Sequence, residues 1–367
     1  MTSLSSQMKT LVAPSLVDFE PYDPKFTSTR INLSANENTH EMPAGTKMAV
    51  LEALSKVQLN RYPDPMANDL RKTIAEWRQC DPACICVGNG GDELLFNFLL
   101  AFGGQGRKLL NCPPSFSEYE LFSKITNTEV VNVWRNLETF CIDEEASLNA
   151  ASDANLVILT SPNNPTGDVV SREFVSSVCE VCPGIVMVDE AYDEFSRKEL
   201  SCDDLLDKHD NLIILHTLSK AFGLAGIRCG YIIASPDIID VFASVRQIYS
   251  VNALTQAVAA AVIANRDEYQ GVCEDIKFER QRLLSAFNCM RDDGLSIEVW
   301  PSESNFLLVR VPDATFVHKR LRDEYSILVR DFSSTTGLKN CLRIAVGTQS
   351  ENDELIEAIK TILSSNN

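Results

Sequence analysis

Short apolar runs recur along the first two thirds of the chain at strand length, at 84–87, 108–111, 130–134, 156–160, 185–188 and 212–215. The runs Leu156-Val157-Ile158-Leu159-Thr160 and Ile185-Val186-Met187-Val188 are apolar without alternation, which predicts parallel strands buried on both faces. Apolar residues three and four apart predict helices at 44–57, 70–77, 93–100, 118–125 and 171–180. Strands alternating with helices predict an α/β unit around a mostly parallel sheet. From about residue 265 the pattern changes. A long charged helix at 267–287 is followed by short strands at 297–300, 305–311, 327–331 and 342–346, with helices at 315–324 and 352–363. That mixture predicts a second, smaller α+β unit. Residues 31–38 predict a short strand ending in amides, and the polar, proline-punctuated residues 1–30 predict an arm lying over the body. The expected division is an arm at 1–30, a small domain at 31–50 and 265–367, and a large domain at 51–264.

In open α/β sheets, ligands bind outside the carboxyl ends of the strands. That rule gathers the polar clusters of this chain. The turn Gly88-Asn89-Gly90-Gly91-Asp92 follows the run 84–87 and feeds a helix, which offers free backbone N–H groups to an anion. Phe116 follows the run 108–111 and can stack on a flat ligand; a core phenylalanine is the plainer reading. Asn164 lies in Ser161-Pro162-Asn163-Asn164-Pro165-Thr166-Gly167 after the run 156–160, and Asp189 and Tyr192 follow 185–188. Thr217, Ser219 and Lys220 follow 212–215, and Arg228 comes eight residues after the lysine.

A lone lysine after a strand is usually a solvated surface group. Lys220 instead sits among hydroxyl, small and apolar neighbours, where desolvation lowers its pKa and makes the neutral amine available for imine chemistry. A nearby hydroxyl and arginine suit a phosphate. Lysine imine plus phosphate anchor is the outline of a pyridoxal-phosphate site. In Arg61-Tyr62-Pro63-Asp64-Pro65 the prolines stiffen the backbone around Tyr62, either to aim its hydroxyl or to plug a groove. Arg330 and Arg343 lie in or at the end of apolar strands, a costly place unless each meets an anion or a structural acid.

Composition narrows the classes. The chain has 367 residues, 45% hydrophobic and 23% charged, enough for a large core. A net charge of −18 argues against nucleic-acid binding, which needs a basic face. Twelve cysteines with four histidines supply one CxxC, Cys179 and Cys182, without a matching second pair, so most read as buried thiols. With no apolar run of membrane-spanning length and no apolar leader, the expectation is a reducing cytoplasm.

Taken together the motifs resemble the fold-type-I pyridoxal-phosphate aminotransferases, and within them the histidinol-phosphate branch. The pieces are NEN at 36–38, RYPDP at 61–65, GNGGDELL at 88–95, SPNNPTG at 161–167, VDEAYDEF at 188–195, TLSKAFGLAGIRCGY at 217–231, YSVNALTQ at 249–256, SESNFLLV at 302–309, ILVRD at 327–331 and CLRIAVGT at 341–348. They run through nearly the whole chain. The resemblance implies an α/β fold with a large cofactor-binding domain and a smaller α+β domain, and it implies roles. Lys220 would form the internal imine and shuttle a proton. Asp189 would pair with the pyridinium nitrogen, and Asn164 and Tyr192 would bond the ring 3-oxygen. Phe116 would stack on the ring, in place of the tyrosine many relatives carry. The backbone amides of Gly91 and Asp92, with Ser219 and Arg228, would hold the cofactor phosphate, joined by Tyr62 from a partner subunit in a homodimer, and Gly90 and Thr217 would also line the cofactor. Arg343 would grip the carboxylate of glutamate, Arg330 and Tyr22 the distal phosphate of histidinol phosphate, and Asn36 would line the substrate side. The implied reaction passes an amino group from glutamate to imidazole-acetol phosphate in two half-reactions. Same-fold rivals are an aromatic amino-acid aminotransferase and a threonine-phosphate decarboxylase, and a different class is a non-catalytic binding module. The match departs at Gly91, where many relatives have serine or alanine, and at Asn38-Thr39-His40, where they often have proline.

Overall fold

A computed structural model describes residues 4–17 and 27–365. The strands are β1 (Ile31–Asn32), β2 (Ile85–Gly88), β3 (Lys108–Asn111), β4 (Glu129–Asn132), β5 (Leu156–Thr160), β6 (Ile185–Asp189), β7 (Leu212–Thr217), β8 (Gly230–Ala234), β9 (Glu298–Val299), β10 (Phe306–Arg310), β11 (Ile327–Leu328), β12 (Arg330–Asp331) and β13 (Cys341–Ala345). The helices are α1 (Ser6–Lys9), α2 (Ala44–Ser55), α3 (Asn68–Arg78), α4 (Gly91–Phe102), α5 (Glu118–Thr126), α6 (Glu144–Ala151), α7 (Arg172–Val181), α8 (Pro236–Val245), α9 (Ala253–Ala264), α10 (Gln270–Asp292), α11 (Ala314–Tyr325) and α12 (Gln349–Ser364).

Seven strands form one sheet in the order β2-β8-β7-β6-β5-β3-β4. β3 to β7 run parallel, and β8 runs antiparallel to both β7 and β2. The apolar runs supply both faces of this sheet. Val157, Leu159, Val186, Val188, Leu212 and Ile214 point to one side, where Val175 and Val178 of α7 and Ala151 of α6 cover them. Ile158, Met187, Ile213, Leu215 and Ile232 point to the other, against Phe98 of α4 and Phe242 of α8. Every residue of β5 and β7 is buried, which explains their unbroken apolar runs. The fold is thus α/β around a mostly parallel sheet, as expected.

A second sheet, antiparallel in the order β12-β13-β10-β9, is packed by Ile276, Leu283 and Phe287 of α10, Val317 and Leu321 of α11, and Leu355 and Ile359 of α12. Three local readings need correcting. Gly230–Ala234 is a strand that the sequence pattern does not assign. The single strand expected at 327–331 changes partners at the buried Val329: Ile327–Leu328 pairs in parallel with Ile31–Asn32, and Arg330–Asp331 pairs antiparallel with β13. The long helix expected from 267 starts with a 3-10 turn, Arg266–Tyr269, and runs on as Gln270–Asp292.

Register aligns the carboxyl ends of the central strands. Thr160 lies opposite Asp189, Asp189 opposite Leu215, and Thr217 opposite Gly230. Residues just after these positions therefore project from one edge of the sheet.

Candidate active site

At one end of that edge β2 stops at Gly88 and α4 begins at Gly91. Gly90 makes the turn at φ +83°, a conformation that favours glycine, and a Cβ there would lie 2.5 Å from Arg228 Nη2 and displace that guanidinium. The first turn of α4 presents unpaired N–H groups and the positive end of the helix dipole. Facing it, Thr217 Oγ1 donates to Ser219 Oγ at 3.1 Å and accepts the Ser219 backbone N–H at 3.2 Å. Arg228, itself left-handed at φ 55°, reaches over and donates to Asp92 Oδ2 at 3.0 Å. Helix N-terminus, two hydroxyls and a guanidinium converge as an anion cradle.

Beyond the cradle the cavity narrows between Phe116 and the end of β6. Asp189 is buried there. Its Oδ1 accepts the Ala191 backbone N–H at 3.1 Å, and its Oδ2 accepts the Tyr119 hydroxyl at 2.7 Å. Burial pushes the Asp189 carboxyl up to about 6 despite those two donors. On the other side, the Tyr192 phenol oxygen accepts from Asn36 Nδ2 at 2.9 Å and from Asn164 Nδ2 at 3.4 Å. Asn36 holds a left-handed φ of 55° to make that reach. Lys220 Nζ donates to the Ala35 carbonyl at 3.2 Å. Burial, and then the neighbouring Arg343 cation, pull its amine down to about 8. A substantial neutral fraction therefore exists near physiological pH.

The outer wall comes from the antiparallel sheet. Arg330 of β12 and Arg343 of β13 stand directly opposite each other in the cross-strand register. Like charges at such positions repel, yet both side chains line the cavity. Arg343 donates to Asn164 Oδ1 and to the Ser34 carbonyl, each at 2.6 Å, with its guanidinium 5.5 Å from the Phe306 and Phe332 ring centroids.

One cavity of about 340 Å³ thus collects Lys220, Asp189, Asn164, Tyr192, Phe116, Asn36, Gly91, Asp92, Thr217, Ser219, Arg228, Arg330 and Arg343. Gly90 does not line it, but lies against the Arg228 guanidinium. Tyr62 is not brought to it: the ring is 81% exposed and stacks on Tyr249 with centroids 4.5 Å apart. Tyr22 lies outside the described residues. Sequence reasoning missed Tyr119 and the backbone of Ser34 and Ala35. Tyr119 follows Phe116 by three residues at the start of α5, a spacing that places both rings on one side, and their centroids lie 5.6 Å apart.

A larger cavity, about 680 Å³, lies around Arg78, Trp77 and Tyr269 and holds none of these residues. Next to it Glu190, Asp203 and His216 gather as metal ligands would. Each already has a protein partner: Arg78 donates to Asp203 Oδ2 at 2.9 Å and lies 3.3 Å from His216 Nδ1 through its Nη2, while Glu190 accepts from Ser201 Oγ at 3.0 Å and the Cys202 backbone N–H at 2.7 Å. All twelve cysteines are free thiols.

Residues 28–359 match the family model for aminotransferases of class I and II. A curated histidinol-phosphate aminotransferase of Caldanaerobacter subterraneus is 36% identical over 97% of this chain and 100% of its own length. A solved histidinol-phosphate aminotransferase from Sinorhizobium meliloti, in complex with pyridoxal-5'-phosphate, has the same fold over 100% of both chains, with a TM-score of 0.87 at 24% identity. The histidinol-phosphate aminotransferase from Clostridium acetobutylicum aligns over 91% of this chain and 99% of its own, with a TM-score of 0.84 at 25% identity. A lysine of depressed pKa, a buried carboxylate and an anion cradle at one sheet edge accord with those likenesses, and the chain belongs to the class I and II aminotransferases.

Proposed function

We propose that this chain is a histidinol-phosphate aminotransferase, passing the amino group of L-glutamate to imidazole-acetol phosphate to give L-histidinol phosphate and 2-oxoglutarate in histidine biosynthesis. The observation that carries the substrate reading is the opposed pair Arg330 and Arg343 beside Lys220. Two facing cations suit substrates that bring an anionic group to that wall, a carboxylate in one half-reaction and a phosphate in the other. The substrates' identities follow the names of the relatives.

The residues fit pyridoxal phosphate. The cavity is in the range of small-molecule sites, roughly 300–1,000 Å³, and Gly90 leaves Arg228 room that a side chain would fill. Bound there, the cofactor supplies an electron sink for the bonds broken at the substrate carbon. The first turn of α4, Thr217, Ser219 and Arg228 would hold its phosphate. Asp189, ionised at neutral pH, keeps a proton on the ring nitrogen. Asn164 and Tyr192 would bond the ring oxygen, and Phe116 would stack on the ring. Lys220, partly neutral near pH 8, accepts and returns the proton of the reacting carbon. Arg343 orients glutamate through its α-carboxylate with a two-pronged bond. Arg330 holds the distal phosphate, with Tyr22 joining it from the arm.

The same reading makes the active form a homodimer. Tyr62 stacks on Tyr249 on a surface where Leu59, Ile248 and Leu254 are also exposed, and α2 beside α9 adds Met48 and Leu51. A partner covering that surface would receive Tyr62 at its own cofactor phosphate. Among the described residues no helix is long and apolar enough to cross a membrane, in keeping with a cytoplasmic enzyme. The domain division of the reading is an arm at 1–30, a large cofactor-binding domain at 51–264, and a small domain from 31–50 and 265–367.

A substrate panel tests the function. Purified protein with pyridoxal phosphate and 2-oxoglutarate is offered histidinol phosphate, phenylalanine, tyrosine and threonine phosphate. The highest kcat/KM is expected for histidinol phosphate. A higher value for an aromatic amino acid, or release of carbon dioxide from threonine phosphate without a keto acid, would overturn it.

A further inference from the structure

We propose that Tyr119 is a positioning residue that keeps the Asp189 carboxylate ionised and aimed at the ring nitrogen of the cofactor; this rests on the function proposed above. Tyr119 is buried, and so is everything its hydroxyl touches. It donates to Asp189 Oδ2 at 2.7 Å and lies 2.8 Å from Thr160 Oγ1. The phenol has one hydrogen, and the ionised carboxylate only accepts. The hydrogen therefore goes to Asp189, and Thr160 donates in turn to the phenol oxygen. Thr160 stands directly opposite Asp189 in the β5–β6 register, so the sheet itself sets the length of this chain of donors.

The geometry has a directional consequence. The Ala191 backbone N–H fixes Oδ1 and Tyr119 fixes Oδ2, one donor for each oxygen. Each oxygen keeps a further lone-pair direction for a proton on a ring nitrogen in the cavity. The donor also acts on charge. The groups that favour Asp189 as an anion are Tyr119, the Ala191 backbone N–H and the Lys220 charge, and Tyr119 is the side chain that bonds it directly. Burial and the adjacent carboxylate hold the Tyr119 phenol well above its ordinary range, so it keeps its own proton. A phenylalanine there would preserve the ring packing against Phe116 and remove only the donor.

The test compares the wild type with Tyr119→Phe, using two ligands: pyridoxal phosphate and its 1-deaza analogue, which carries a C–H in place of the ring nitrogen. The measured quantity is the dissociation constant at pH 8, read by quenching of protein fluorescence. Loss of a charge-assisted bond behind the nitrogen should weaken pyridoxal phosphate roughly ten- to hundredfold. The deaza analogue should bind both proteins alike, because it has no nitrogen to feel the carboxylate. Thr160→Val removes the donor one step behind and should weaken pyridoxal phosphate alone, by less than Tyr119→Phe does. Equal losses for both ligands would make Tyr119 a packing residue, and no loss for either would remove it from the site; both results overturn the proposal. If the wild type itself fails to bind pyridoxal phosphate, the function proposed above falls instead. A wild type that binds and transaminates beside an indifferent Tyr119→Phe sinks only the positioning role.

Discussion

Asp189→Asn should make the cofactor-free protein more stable at pH 8 and less able to use the cofactor. Burial raises the Asp189 carboxyl from 3.8 to about 6. An acid whose pKa is higher folded than unfolded binds extra protons in the folded state between those two values. Stability then falls as pH rises across roughly pH 4 to 6. About two units at 1.36 kcal/mol each amount to about 3 kcal/mol, absent below about pH 4 and fully present above about pH 7. Asparagine does not ionise and escapes that cost. If its oxygen stays on Tyr119, its amide group faces the Ala191 N–H and forfeits that bond, about 1 kcal/mol. The net expectation is a gain of about 2 kcal/mol at pH 8, turning into a loss of about 1 kcal/mol at pH 4. Urea titrations of both cofactor-free proteins from pH 4 to 8, analysed with a common slope, measure the difference. Saturating pyridoxal phosphate should reverse the order at pH 8, because a ligand stabilises the form that binds it better. A difference that stays constant with pH, or a variant less stable than wild type at pH 8 without cofactor, would refute the reasoning.

Lys220→Ala should abolish turnover while the protein still binds pyridoxal phosphate non-covalently; near-normal turnover in a steady-state assay would exclude Lys220 as the proton carrier. Arg330→Ala should reduce kcat/KM for histidinol phosphate by the ~2 to 3 kcal/mol of a charge-assisted contact and affect glutamate far less, with equal losses assigning Arg330 to neither substrate in particular. Mixing Tyr62→Ala with Lys220→Ala subunits should restore activity towards about a quarter of wild type if subunits exchange freely, since a hybrid dimer then keeps one site with both residues intact. Activity no higher than the sum of the separate variants would place Tyr62 outside the partner's site.

The parts of this protein legible in the sequence are those set by burial along one short segment. Leu156 to Thr160 and Leu212 to Leu215 are apolar because helices cover both faces of the sheet, and that alone locates the strand ends where Asn164, Asp189 and Lys220 emerge. What remained hidden depends on long-range register. β8 is not assigned by the sequence pattern; its place between β7 and β2 comes from antiparallel pairing on either side. The division at Val329 exists because one half of the segment meets β1 and the other half β13. Tyr119 looks like one more ring on the apolar side of a helix, and only the approach of β6 turns its hydroxyl into a donor for Asp189. Asn36 meets Tyr192 from 156 residues away along the chain, a contact with no local signature.

The place of β2 in the sheet bears on how the protein is made. Among the described residues its one neighbour is β8, so all of residues 89–229 must leave the ribosome before Ile85–Gly88 can be paired with it. Until then an apolar strand edge stays open, the kind of surface on which nascent chains aggregate or recruit chaperones. The turn at Gly90 is equally late, because Gly230 packs against its backbone and leaves no room for a side chain. Phosphate binding should therefore be among the last properties a growing chain acquires, and a ribosome-bound fragment ending before β8 should fold its β3–β7 core without it.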